Sequence, residues 1–140
     1  MRRAHTLAEL LLVVAVMGVL LGLAVPSARR LLDGIHARGA ATEVAALLAL
    51  ARHTAVYRGV RTAVRFDSVA AGVLVHVGRD TVAARAFGAS RGVSLRATRD
   101  SLAFAPTGRG FGAANATIVL RRGAAAETVW VSRLGRVRRQ

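Results

Sequence analysis

TLAELLLVVAVMGVLLGLAV, residues 6–25, is an almost wholly apolar stretch of twenty residues in which Glu9 is the one charged side chain. At about 1.5 Å of rise per helical residue it reaches roughly 30 Å, the thickness of the hydrocarbon core of a bilayer. A charged side chain at the centre of a membrane costs roughly 2.5–3.5 kcal/mol, and less near an end. The stretch therefore predicts a transmembrane helix, and the cost of burying the Glu9 carboxylate predicts that a partner group compensates for it.

Two other membrane interpretations apply to this N-terminus. A secretory signal peptide has basic residues, here at 2–3, an apolar core and a small-residue cleavage site, which residues 22–24 loosely supply. Glu9 and the length of the run fit that interpretation poorly. The second is a plain single-pass anchor, whose orientation stays open because the arginines at 2–3 are matched by those at 29–30.

The composition limits the function classes that the chain can belong to. About 110 residues remain outside the apolar stretch, enough for one small domain. The absence of cysteine excludes disulfides, thiolate metal sites and a thiol nucleophile. All 21 basic residues are arginine, and the net charge of +14 predicts attraction to phosphates, anionic lipid headgroups or acidic partners.

The first nine residues, MRRAHTLAE, resemble the class III signal of type IV prepilins. That signal is a short basic leader, a small residue and a start of the form x-T-L-x-E that opens an apolar helix. The resemblance implies that prepilin peptidase cuts between Ala4 and His5, where the family usually has Gly and Phe, and that His5 is N-methylated. Glu9 then becomes the fifth mature residue and pairs with the N-terminal amine of a neighbouring subunit. The helix stays as membrane anchor and later as filament core.

Pro26 follows the apolar run and predicts a helix kink, because proline lacks an N–H group and clashes with the preceding turn. The alternative is an ordinary helix end, with a new helix capped by Ser27. A second helical segment is predicted from Ala28 to Tyr57, with Gly59 as its stop. Its apolar face, expected to pack against a sheet, recurs at steps of three and four residues and comprises Ala40, Val44, Leu47, Leu48, Ala51 and Ala55.

After Gly59 the apolar period changes from helical to two, which predicts short antiparallel strands joined by tight turns. A turn is expected at residues 88–92, among others. One long helix followed only by strands predicts the α+β class, with a long N-terminal helix, its first half transmembrane, packed on a small antiparallel β-domain. The strands are expected at 60–66, 73–77, 81–87, 93–97, 101–105, 117–121 and 128–133.

The C-terminal third resembles the GspH/FimT family of type IV pilin-like proteins through FAPTGRG at 104–110 and TVWVSRLGRVRRQ at 128–140. That family comprises pseudopilin H of type II secretion and related minor pilins of type IV pili. The resemblance implies a structural subunit of the bacterial inner membrane, with one membrane span and a periplasmic β-domain. Prepilin peptidase and other pilins are its implied partners, and no cofactor is implied.

The resulting division of the chain is a leader at 1–4, a transmembrane and filament-core helix at 5–27, a helix continuation at 28–58 and a β-domain with a basic tail at 59–140. Type II secretion and the type IV pilus both remain open as the pathway. An unrelated single-pass protein with an anchored periplasmic β-domain is the alternative.

Enzyme chemistry has little support in the sequence. The glycine-rich loop TGRGFGAAN at 107–115 has a strand-like continuation and no Walker lysine, so a connection between strands is expected rather than a phosphate-binding loop. The four histidines are scattered without metal-ligand spacing, and the seven acids are widely spread. We expect no catalytic site and no metal site.

The basic tail is the main candidate for ligand binding. Residues 121–140 hold six arginines against one acid, Glu127. Arg136, Arg138 and Arg139 at a mobile end are expected to contact successive phosphates, independently of base sequence. The Gly-Arg-x-Arg pattern at 135–138 resembles a tail that some pilins of this branch use in DNA uptake, so a DNA-binding minor pilin is an alternative function. The other interpretation is a solvated basic end strand.

Overall fold

The computed structural model describes residues 6–112 and 114–140. They form two compact units, divided between Leu32 and Asp33, and helix α1 contributes to both. The elements are α1 Leu7–Arg58, β1 Thr62–Asp67, β2 Gly72–Val77, β3 Asp80–Ala86, α2 Phe87–Arg91, β4 Ser94–Ala97, β5 Ser101–Phe104, β6 Ala116–Arg122, β7 Ala125–Val131 and β8 Val137–Arg139.

The first unit is the N-terminal part of α1. The helix begins after Thr6, whose hydroxyl accepts a hydrogen bond from the Glu9 N–H at 3.3 Å, as an N-cap residue does. Pro26 lies inside the helix, and the Ser27 hydroxyl donates to the Leu23 carbonyl at 3.1 Å. The alternative of a helix end capped by Ser27 is therefore wrong, while the kink at Pro26 stays a prediction.

The strands of the second unit form two antiparallel sheets of four strands, in the orders β3-β2-β1-β5 and β4-β6-β7-β8. Helix α1 ends at Arg58, and Gly59 follows with φ of 65°, a conformation that glycine adopts without strain. The predicted α+β class and the antiparallel pairing are confirmed.

One face of α1 and the inner faces of both sheets share a single hydrophobic core. The six helix residues predicted from the three- and four-residue steps are all buried, because residues three or four apart lie one turn apart on the same side of a helix. The largest fully buried side chains in this unit are Phe87, Phe104, Leu48, Leu95, Ile118 and Leu120.

Two predicted features of the β-domain are wrong. Residues 88–92 are not a turn between strands, because Phe87 is buried and starts the short helix α2, which ends at Gly92 with φ of 62°. The C-terminus is not a mobile end, because residues 137–139 pair with β7 as strand β8, in agreement with the other interpretation of a basic end strand. Backbone hydrogen bonds build this strand, and its sequence of mostly exposed arginines carries no apolar alternation to reveal it.

Candidate functional site

The N-terminal unit exposes apolar side chains around the whole circumference of its helix. Leucine and valine residues from Leu7 to Val25 are 44–78% exposed, and Glu9 in the first turn is the one acid among them. A helix that is apolar all round belongs in a membrane or in the core of a helical assembly. Within the described residues, α1 is also the one helix long and apolar enough to cross a bilayer.

Ala4 and His5 lie outside the described residues, so leader cleavage and N-methylation stay predictions. The geometry around Glu9 places its carboxylate near the helix N-terminus, where the macrodipole favours a negative charge.

Strand β8 fixes the basic tail to the edge of the second sheet. Thr128 and Gln140 exchange two backbone hydrogen bonds, at 2.9 and 3.0 Å, and Val131 pairs with Val137. The connection from β7 is a tight turn in which the Gly135 N–H donates to the Ser132 carbonyl at 2.9 Å. The backbone hydrogen bonds between β7 and β8 therefore fix the positions of the tail residues that carry these arginines.

Gly135 is the position on which this turn depends. Its φ is 74°, and a β-carbon built there would lie 2.5 Å from the Gly108 carbonyl oxygen. We expect Gly135→Ala to lower the free energy of unfolding by roughly 2–4 kcal/mol, since strain in the left-handed region adds to a backbone clash. Gly78→Ala is the matched control, because φ is 58° there but no atom lies within 4 Å. Equal losses for the two variants in urea unfolding would contradict this account of the turn.

Trp130 lies directly opposite Arg138 in the pairing of β7 with β8. Together with Leu134 and Arg136 these residues line a shallow groove of about 360 Å³, and Trp130 as a residue is 37% exposed. An exposed aromatic ring beside two guanidinium groups is suited to an anionic ligand with a flat face.

Arg139 is separated from the other two tail arginines. Alternation along β8 turns its side chain to the opposite face of the sheet, where a guanidinium nitrogen contacts the Thr42 hydroxyl of α1. The structure thus brings Arg136 and Arg138 together with Trp130, and it does not place Arg139 with them.

The acids of the second unit are largely paired with its own arginines or with its backbone. Asp33 accepts from Arg122 at 3.0 Å, and Glu43 accepts from Arg85 and Arg91, both at 3.1 Å. Glu127 accepts from Arg38 at 3.3 Å. These pairs join α1 to the strands β3, β6 and β7 and to the short helix α2.

Asp67 closes the turn after β1. Its carboxylate accepts the backbone N–H groups of Val69 and Ala70 at 2.9 and 3.0 Å. These two bonds, that of Ala70 first, together with the nearby Arg65 hold the pKa of Asp67 below its ordinary value. The arrangement is an Asx turn, so the geometry of the turn explains the lowered pKa of Asp67.

The described residues contain no group of three or more potential metal ligands. His53 stacks on Tyr57 with ring centroids 5.9 Å apart, and the His76 Nδ1 donates a hydrogen bond to the Gly78 carbonyl at 3.0 Å. The glycine-rich loop lies between β5 and β6, and the next element that the structure describes is the strand β6, whereas a phosphate-binding loop leads into a helix N-terminus.

Sequence reasoning missed the partnership of Trp130 with Arg138. A signal for it was present, since Gly135 follows the strand predicted at 128–133 and could have been interpreted as part of a hairpin turn. Once the hairpin is recognised, alternation alone assigns residues 136 and 138 to one face and residue 139 to the other.

Comparison with known proteins gives a consistent result. The family model described as "Type II transport protein GspH" matches residues 40–135. The minor pilin FimU of the type IV pilus of Pseudomonas aeruginosa is 17% identical, with a TM-score of 0.62 over 74% of this chain and 91% of that one. The minor pseudopilin EpsH of the Vibrio cholerae type 2 secretion system is 14% identical, with a TM-score of 0.60 over 75% and 96%. No curated protein matches the sequence.

Proposed function

Because this chain belongs to the GspH/FimT family of type IV pilin-like proteins, we propose that it is made as a prepilin in the bacterial inner membrane and then joins a filament as a pseudopilin or minor pilin. The observation that carries the proposal is the N-terminal helix, which is apolar on every side and has one acid in its first turn. Such an apolar surface is buried first in lipid and later against the helices of other subunits.

Assembly follows from the chemistry of the helix start. Cleavage between Ala4 and His5 creates a cationic amine four residues before Glu9. A carboxylate leaving the headgroup region for an apolar filament core loses its hydration, and a cationic amine on a neighbouring subunit offsets that loss. The pairing therefore selects one axial register between adjacent helices. The subunit acts by assembly and needs no cofactor.

The membrane topology can be tested with single cysteines, since the chain has none of its own. Val16→Cys places a thiol in the apolar helix, and Val69→Cys places one in a turn residue that is 99% exposed. In intact spheroplasts we expect a membrane-impermeant maleimide to label Val69→Cys and to label Val16→Cys only after detergent is added. Labelling of Val69→Cys only after lysis would contradict the periplasmic orientation, and labelling of both in spheroplasts would contradict the membrane span.

A second candidate function is capture of DNA by a minor pilin. The observation that favours it is the groove in which Arg136 and Arg138 flank Trp130. Phosphate contacts made by arginine weaken steeply as salt rises between about 50 and 200 mM. We expect the full chain to bind duplex DNA with that dependence, and Arg136→Ala with Arg138→Ala to weaken binding while Arg139→Ala does not. Absent or salt-independent binding would eliminate this function.

A further inference from the structure

The outer face of the second sheet carries more arginine than the tail alone. Paired residues of neighbouring strands place their side chains on the same face of a sheet. On the outer face, Arg121 of β6 pairs with Ser94 of β4, and Val119 pairs with Arg96. Trp130 of β7 pairs there with Arg138 of β8. We define the arginine face as Arg96, Arg121, Trp130, Arg136 and Arg138. All five side chains are exposed.

Charge on the arginine face is of one sign. None of the ion pairs formed within residues 6–112 and 114–140 involves its four arginines. Glu127, the one acid of β7, lies on the opposite face of the sheet and accepts a hydrogen bond from Arg38 of α1. A second groove, of about 450 Å³, lies between Arg96 and Arg121 and is completed by Ser94 and Val119. The face therefore offers two basic grooves with a tryptophan at one of them, which fits a polyanion with flat rings.

The width of the sheet distinguishes between forms of nucleic acid. Four strands at about 4.8 Å spacing are roughly 14 Å across before side chains are added, and the major groove of a duplex is about 12 Å wide. A duplex would thus meet this face only at its phosphates, and Trp130 would contribute little. An unpaired base can stack on the exposed Trp130 ring while its backbone follows the arginines.

We propose that the arginine face is a single-stranded nucleic-acid site, in which Trp130 stacks on a base and Arg96, Arg121, Arg136 and Arg138 contact phosphates. The proposal rests on the DNA-capture function given above and extends it in two ways. The site continues from the tail onto β4 and β6, and its preferred ligand is a single strand.

Trp130 is the only tryptophan of the chain, so its fluorescence reports on this site alone. The experiment titrates the full chain, in nonionic detergent at fixed salt, with an oligothymidylate and with a duplex of equal length. We expect the single strand to quench Trp130 and to bind about fivefold or more tightly than the duplex, the effect of stacking one base.

Matched variants separate stacking from charge. Trp130→Leu should lose about fivefold or more of the single-strand affinity and a smaller factor of the duplex affinity, while Trp130→Phe keeps most of the single-strand affinity. Arg96→Ala with Arg121→Ala should weaken binding of both ligands. Arg58→Ala with Arg79→Ala removes the same charge away from the face and should weaken binding less.

Each failure has its own pattern. If both ligands bind with equal affinity and neither quenches Trp130 fluorescence, while Arg136→Ala weakens binding, the single-strand assignment is overturned and duplex capture stays in place. No binding of either ligand overturns both. Binding of polyglutamate as tightly as the oligothymidylate overturns the assignment in favour of an acidic protein partner.

Discussion

Glu9→Ala should reduce the amount of this subunit in sheared filaments by about tenfold or more, with its amount in the membrane fraction unchanged. An ion pair with a charged amine is worth roughly 1.5–3 kcal/mol, and 1.4 kcal/mol corresponds to a factor of ten. Removing the acid also removes its cost in lipid, so insertion into the membrane does not suffer. Quantitative immunoblotting of the two fractions measures both effects.

Two further variants make the Glu9 result specific. Val13→Ala changes an apolar residue one turn away and should leave incorporation within about twofold of the wild type, since no charge is lost. Glu9→Asp keeps the charge on a shorter side chain and should retain part of the incorporation. If Glu9→Ala filaments contain the subunit at wild-type level, the pairing of Glu9 with a neighbouring amine is refuted.

Leu48→Ala should lower the free energy of unfolding of the β-domain by about 2–5 kcal/mol, a large part of the stability of a small domain. Leu48 is 0% exposed and lies on the helix face that packs in the shared core. Truncation leaves a cavity that the surrounding sheets cannot fill completely. Urea unfolding of the full chain in detergent, followed by Trp130 fluorescence, measures the loss because Trp130 lies in this domain.

Leu50→Ala is the control for Leu48→Ala. It makes the same truncation two residues along the same helix at a position that is 39% exposed. Helix propensity changes equally in the two variants, so the difference between them reports the burial alone. A loss for Leu50→Ala as large as that for Leu48→Ala would mean that the helix face is wrongly assigned.

Much of the fold could be predicted because the residues that build it follow strict periods. Leu48 and its neighbours recur at helical steps, and the strand at 73–77 alternates apolar and polar residues. Both patterns result from burying one face of an element. Phe87 shows where this reasoning fails: the pattern at 81–87 predicts a strand residue there, but Phe87 starts helix α2 and its side chain is buried in the core.

Candidate sites were predictable to different degrees. The roles of Ala4, His5 and Glu9 came from a resemblance in order and spacing and await direct tests. The tail arginines were evident as charges, but their division between two faces depends on the strand β8. Hydrogen bonds between backbones define that strand, and a run of arginines gives no apolar signal for it.

The intact mass of the mature protein, isolated from the membrane of its own host, tests the central claim most directly. Our account predicts a chain that begins at His5, lighter than the translated sequence by Met1 to Ala4 and heavier by the CH2 that replacing one amine hydrogen with a methyl group adds. A mass that includes the leader, or one that corresponds to a start after Ala24, would contradict it. The first result would leave a plain membrane anchor, and the second a secreted β-domain without its helix start.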